Sequence, residues 1–161
     1  MSTSTDAILF FGFCWDEEGD IFADADEADD DWEDRYARLA GLVEPTETYP
    51  DKGIGHPDRF GENYTPEEAL IIDRYRAFWS AKNDMIAALP VEIDRHCSGD
   101  CLMPFVCAKA SKVTAWRGYP KEIESLEVKP EWEAELRSFC AYMGIDVSEK
   151  KCAWWMVSFW G

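Results

Sequence analysis

Twelve carboxylates stand between Asp16 and Asp34 with no Lys or Arg among them: Asp16, Glu17, Glu18, Asp20, Asp24, Asp26, Glu27, Asp29, Asp30, Asp31, Glu33 and Asp34. With Asp6, residues 1 to 34 hold thirteen acidic side chains and no basic one, whereas the rest of the chain holds twenty acidic and sixteen basic residues. Most of the formal charge of -17 is therefore local. Such a run can bind calcium, imitate a polyphosphate or simply hold water. No frame fits the calcium loop of an EF-hand: counted from Asp24, the sixth position is Asp29 where Gly is needed, and the twelfth is Arg35 where Glu is needed. Fixed carboxylates can instead replace backbone phosphates and fill the Lys/Arg groove of a DNA- or RNA-binding protein. On that reading the partner-binding residues are Asp24, Asp26, Glu27, Asp29, Asp30, Asp31, Glu33 and Asp34. The competing reading is a solvated acidic loop that aids solubility.

His96, Cys97, Cys101 and Cys107 are the only constellation of soft ligands, and zinc would want four such groups in a tetrahedron. Their spacing contains no Cys-x-x-Cys pair and fits no common finger or ribbon, so buried thiols acting as small apolar residues are the expectation and a zinc or thiol centre the alternative. His96 and Cys97 are adjacent, so in a strand they point to opposite faces and cannot form a local nucleophile–base pair. His56 reads as a surface histidine before Pro57. No phosphate-binding Gly loop, Gly-x-Ser-x-Gly or His-Glu-x-x-His occurs, so no catalytic residue, metal or cofactor is assigned and a non-enzymatic binding role is expected.

The charge disfavours direct binding to nucleic acid or to an anionic membrane and favours a basic partner. The opening residues, Met1 to Asp6, lack the basic region of a signal peptide, and no apolar run approaches the roughly 18 residues of a membrane span, so a cytoplasmic protein with reduced thiols is expected.

A chain of 161 residues fits one domain, here 1–161, with an acidic segment 16–34 and a long loop 43–64 rich in Pro and Gly. Ala7 to Trp15 is a continuous apolar run and predicts a central, buried strand. Trp32, Tyr36 and Leu39 recur at helical spacing before Gly41; a start near Asp29 puts them inward and Asp30, Glu33 and Asp34 outward. Thr65-Pro66-Glu67-Glu68 is a helix start, and Ile71, Ile72, Tyr75, Phe78, Trp79, Ile86 and Leu89 fall on one stripe, predicting the longest helix and the main core element. Val91 to Cys97 and Leu102 to Ala108 predict a hairpin, and Lys112 to Trp116 a further strand. Pro130 opens a helix that buries Trp132, Leu136, Phe139, Cys140 and Met143 and closes at Gly144 with Ile145; Ala153 to Trp160 is the last strand. Trp15, Trp116, Trp154, Trp155 and Trp160 are expected to pack in the core. The sum is an α+β fold, an antiparallel sheet of about five strands with three helices mainly on one face.

Three segments together, Ser-Thr-Ser-Thr-Asp-Ala-Ile-Leu-Phe-Phe-Gly-Phe-Cys-Trp-Asp, His-Cys-Ser-Gly-Asp-Cys and Trp-Trp-Met-Val-Ser-Phe-Trp-Gly, resemble small acidic proteins carried by bacteriophages and prophages. The resemblance implies a phage setting, in which such proteins include DNA mimics that block host restriction or CRISPR nucleases; it carries over no functional residue. It makes an anti-CRISPR or anti-restriction inhibitor, directed at the basic groove of a host nucleic-acid-binding protein in the bacterial cytoplasm, the first expectation. An immunity-type protein that neutralises a basic nuclease toxin is the second.

Overall fold

A computed structural model describes residues 5–16, 21–22, 31–50, 64–98 and 101–160. Two compact units make up the chain, Asp31–Ala88 and the remainder, Met1–Asp30 with Leu89–Gly161. The described elements are five strands and three α-helices: β1 (Thr5–Cys14), α1 (Trp32–Leu39), α2 (Pro66–Ala87), β2 (Val91–Ser98), β3 (Cys101–Ala108), β4 (Val113–Ala115), α3 (Trp132–Met143) and β5 (Ala153–Trp160). This is the expected α+β class.

The sheet runs β3-β2-β5-β1-β4, with a further pairing of β3 to β1 that closes β1, β5, β2 and β3 into a ring. All pairings are antiparallel except β2 with β5, which meet in parallel at their ends, Cys97 opposite Phe159 and Ser98 opposite Trp160. The sheet is therefore mixed rather than purely antiparallel.

β1 is the central strand, as its unbroken apolar run predicts. Its even positions, Ile8 and Phe10, pack with Phe105 and Cys107 on one face, flanked by Trp155, Val157 and Phe159. The Phe10 and Phe105 rings stack at 4.1 Å. Its odd positions meet the other layer: Phe11 lies 5.9 Å from Trp132 of α3 and 5.8 Å from Trp154, and the Arg137 guanidinium sits 5.2 Å from the Phe13 ring. A strand buried on both faces needs no polar alternation. α3 turns Trp132, Leu136, Phe139, Cys140 and Met143 inward, and Gly144, at φ +76°, ends it while Ile145 N–H donates to the Cys140 carbonyl at 2.8 Å.

Closing the ring brings β1 and β3 unusually near. A Cβ at Gly12 would stand 2.0 Å from the Val106 carbonyl oxygen, so only glycine fits there. β4 continues β3 along the same edge of β1: between Gly12 opposite Cys107 and Leu9 opposite Val113, β1 moves three residues and its partner chain six. The three extra residues form the 3-10 turn Lys109–Ser111. At this break the ladder would leave the Phe11 N–H without an acceptor. The buried Ser111 hydroxyl fills the place, accepting from Phe11 N at 2.9 Å and donating to the Ala108 carbonyl at 2.6 Å.

The helical unit is held differently. α2 begins with the predicted capping box, Glu68 N–H donating to the Thr65 hydroxyl and Thr65 N–H to the Glu68 carboxylate. It is the longest helix but not the main core element: Ile72 and Tyr75 are its only residues that are fully buried, and Trp79 is 42% exposed. The Tyr75 hydroxyl donates toward the carbonyls of Pro45 and Glu47, at 3.1 and 2.8 Å, and its ring joins Tyr49 and Trp79 in a cluster with centroids 5.2 to 5.4 Å apart. The start of the predicted 43–64 loop thus packs along α2, and residues 51–63 lie outside the described residues. α1 ends as expected at Gly41 (φ +83°), but it begins at Trp32 rather than near Asp29. Its fully buried side chain is Ala37, and Leu39, expected inward, is exposed as the last residue of the helix.

Candidate functional site

Of the acidic run, Asp24, Asp26, Glu27, Asp29 and Asp30 lie outside the described residues. Asp31, Glu33 and Asp34 sit at the start of α1, where the unpaired N–H groups of a helix favour negative charge. Asp31 is the N-cap by position, yet its side chain makes no capping bond; its carbonyl accepts Asp34 N–H at 2.9 Å and Arg35 N–H at 3.1 Å. Asp34 is exposed and ion-paired to Lys82 of α2, and Glu33 is partly buried. The start of α1 therefore offers carboxylates in unequal states, with Asp34 already neutralised inside its own unit.

The soft-ligand constellation is dispersed. Cys107 is fully buried beside Phe10 and Phe105, Cys97 pairs across the hairpin with Leu102, and Cys101 pairs with Ser98. Among the described residues no group of three or more His, Cys, Asp or Glu side chains is arranged to hold a metal ion, so His96, Cys97, Cys101 and Cys107 do not come together as a zinc set. Cys97 has φ +80°, a left-handed conformation rare outside glycine, one residue before the end of β2.

The structure instead brings His96 to Cys14, 82 residues away, with Nε2 3.4 Å from Sγ. The same nitrogen is 2.9 Å from the Trp15 carbonyl oxygen. A carbonyl only accepts, so Nε2 carries the proton, and the nitrogen that faces the thiol is a donor rather than a base. Burial and the nearby Asp16 carboxylate push the Cys14 thiol up to about 11. A neutral thiol beside a donating imidazole is not an activated nucleophile. Burial likewise raises Cys140 to about 12 and Cys152 to about 11, and it pushes Cys107 upward with Glu92 adding to the effect. No local spacing announces the Cys14–His96 contact; the available signal is parity, since His96 shares its face of β2 with Glu92 and Asp94.

Those two carboxylates grip Lys112, Glu92 at 2.6 Å and Asp94 closer still, while the Lys112 ammonium stands 5.7 Å from the Phe105 ring centre. Burial disfavours the Lys112 charge, but the hydrogen bonds it donates to Asp94 and Glu92 outweigh that effect and raise the pKa. The two carboxylates thus take two of the three ammonium donors of Lys112.

The aromatic residues expected in the core divide. Trp15, Trp154 and Trp155 are partly buried, whereas Trp116 is 63% and Trp160 49% exposed. Trp116 lies just past the three-residue β4, and Trp160 is the last residue of β5, so both stand at strand ends. Trp116 and Tyr119 wall an open groove of about 440 Å³ over the small side chains of Ala7, Ala115 and Ser158.

Among the described residues no helix is long and apolar enough to cross a membrane. No protein-family model, curated protein or solved structure matches the chain.

Proposed function

We propose that this chain is a phage-type binding protein that inhibits a bacterial nucleic-acid-binding defence protein, of the restriction or CRISPR kind, by presenting an acidic surface that imitates nucleic acid. The observation that carries the reading is the segregation of charge: thirteen carboxylates and no cation in residues 1 to 34, against near balance in the remainder. In the described regions several acidic side chains are matched by nearby cations, Glu47 by Arg74, Glu92 and Asp94 by Lys112, Glu133 by Arg137. The 16–34 run contains no cation that could do this within it. Folding alone would not select such a run, because carboxylates concentrated in one stretch repel one another.

The interface centres on Asp24, Asp26, Glu27, Asp29 and Asp30, with Asp31 and Glu33 continuing it; Asp34, held by Lys82, contributes least. The partner is a basic groove met in the bacterial cytoplasm, and no catalytic step is involved. The test is displacement of duplex DNA from a panel of purified restriction and CRISPR nucleases. Wild-type protein displaces the duplex from at least one nuclease, and a variant with these five carboxylates changed to Asn or Gln loses that ability with an unchanged circular dichroism spectrum. A neutralised variant as potent as wild type contradicts the proposal.

A further inference from the structure

The ladder between β1 and β3 ends at a pair that cannot complete itself. Continuing the register by one residue from Cys14 opposite Phe105 sets Trp15 opposite Pro104, and Trp15 N–H donates to the Pro104 carbonyl at 3.2 Å. In an antiparallel ladder the two residues of such a pair exchange both N–H···O bonds. Pro104 has no N–H to return, so the Trp15 carbonyl lacks its ladder donor. His96 Nε2 stands 2.9 Å from that oxygen. A second donor among the described residues, the Cys14 thiol, is 3.7 Å away and weak. The Trp15 ring is in turn covered by the Lys150 ammonium at 4.6 Å. The residue that follows, Asp16, begins the acidic run.

We infer that His96 is a positioning residue that supplies the hydrogen-bond donor Pro104 lacks, and that the two together fix where β1 stops pairing, at Trp15, the residue before the acidic run. Pro104 stops β1 from pairing further. His96 keeps the last carbonyl from turning to water. A proline inside a paired strand is otherwise a defect; with the imidazole opposite it, it becomes a defined exit. Binding a rigid groove costs less when the charged segment starts from a fixed root. That consequence rests on the proposed function, whereas the hydrogen bond and its role in the sheet do not.

The test uses full-length protein as His96→Leu, His96→Gln, Pro104→Ala and the His96→Leu/Pro104→Ala double variant, read by amide hydrogen exchange at Trp15. His96→Leu accelerates that exchange by about tenfold or more, and His96→Gln, which keeps a side-chain N–H, stays within about threefold of wild type. Pro104→Ala restores the backbone donor, so adding His96→Leu to it changes exchange by less than about threefold. Equal acceleration by His96→Leu in both backgrounds, or no acceleration at all, overturns the inference. Should Pro104→Ala fail to fold by thermal melting, equal rates in the Leu and Gln variants overturn it on their own. In the duplex-displacement assay the Leu variant, with every carboxylate intact, loses potency several-fold. Unchanged potency despite faster exchange refutes the consequence for binding. A wild-type protein that displaces no duplex refutes the proposed function, and exchange at Trp15 still decides the role of His96.

Discussion

Strand β1 and helix α2 are the longest strand and the longest helix among the described residues, and they bury their apolar side chains differently. β1 buries both faces, Ile8 and Phe10 against Phe105 and Cys107, Phe11 and Phe13 against α3 and Trp154. α2 has 22 residues and fully buries Ile72 and Tyr75 alone. Its order comes from local devices: the Thr65 capping box, the Tyr75 hydroxyl over the 45–47 backbone and the Tyr49–Tyr75–Trp79 cluster. A strand packed from both sides has no room to yield, while a helix tied down at a few points can lose one and keep the rest. Damage to β1 and its closures should therefore be global, and damage to α2 local.

The largest effect is expected at Gly12. Gly12→Val puts a branched side chain where even a Cβ meets the Val106 carbonyl at 2.0 Å, opening the ring and costing more than about 4 kcal/mol. Urea unfolding followed by near-ultraviolet circular dichroism should show no native tryptophan signal; a folded variant within 1 kcal/mol of wild type, about the scatter of ordinary substitutions, would break the comparison. Ser111→Ala comes next. It strands the Phe11 N–H in a buried ladder and should cost about 1 to 3 kcal/mol, with amides of both β1 and β4 losing exchange protection together. The smallest is Thr65→Ala, which removes the helix cap for about 1 kcal/mol. Its exchange changes should stay within the first turns of α2, and spread into the β1 amides would show that the two regions do not respond separately.

Where local chemistry decides structure, it could be read directly. Thr65-Pro66-Glu67-Glu68 specifies a cap, Gly41 and Gly144 specify left-handed helix ends, and the 3.6-residue recurrence of Trp132, Leu136, Phe139 and Met143 specifies the buried side of α3. Periodicity does not say how much covers a stripe, and so Trp79 and Leu39 were expected deeper than they lie. Contacts between distant segments left no local mark. The parallel meeting of β2 with β5, the return of β3 to β1 and the approach of His96 to Cys14 depend on which strands become neighbours. Pro104 and Ser111 were legible as residue types, but their meaning, a missing donor and a supplied acceptor, appears only once the β1 ladder is in register. For the acidic run the sequence supplied the charge pattern, and the structure added the pairing of Asp34 with Lys82.

The central claim is that the acidic run binds by electrostatic replacement of phosphate, and salt dependence of affinity reports this most directly. Affinity for the nuclease that wild-type protein inhibits should be measured from about 50 to 200 mM salt, for wild type and for the variant with Asp24, Asp26, Glu27, Asp29 and Asp30 changed to Asn or Gln. The account predicts a steep fall of log affinity with log salt for wild type and a much shallower line for the variant. Parallel lines of equal slope would contradict it.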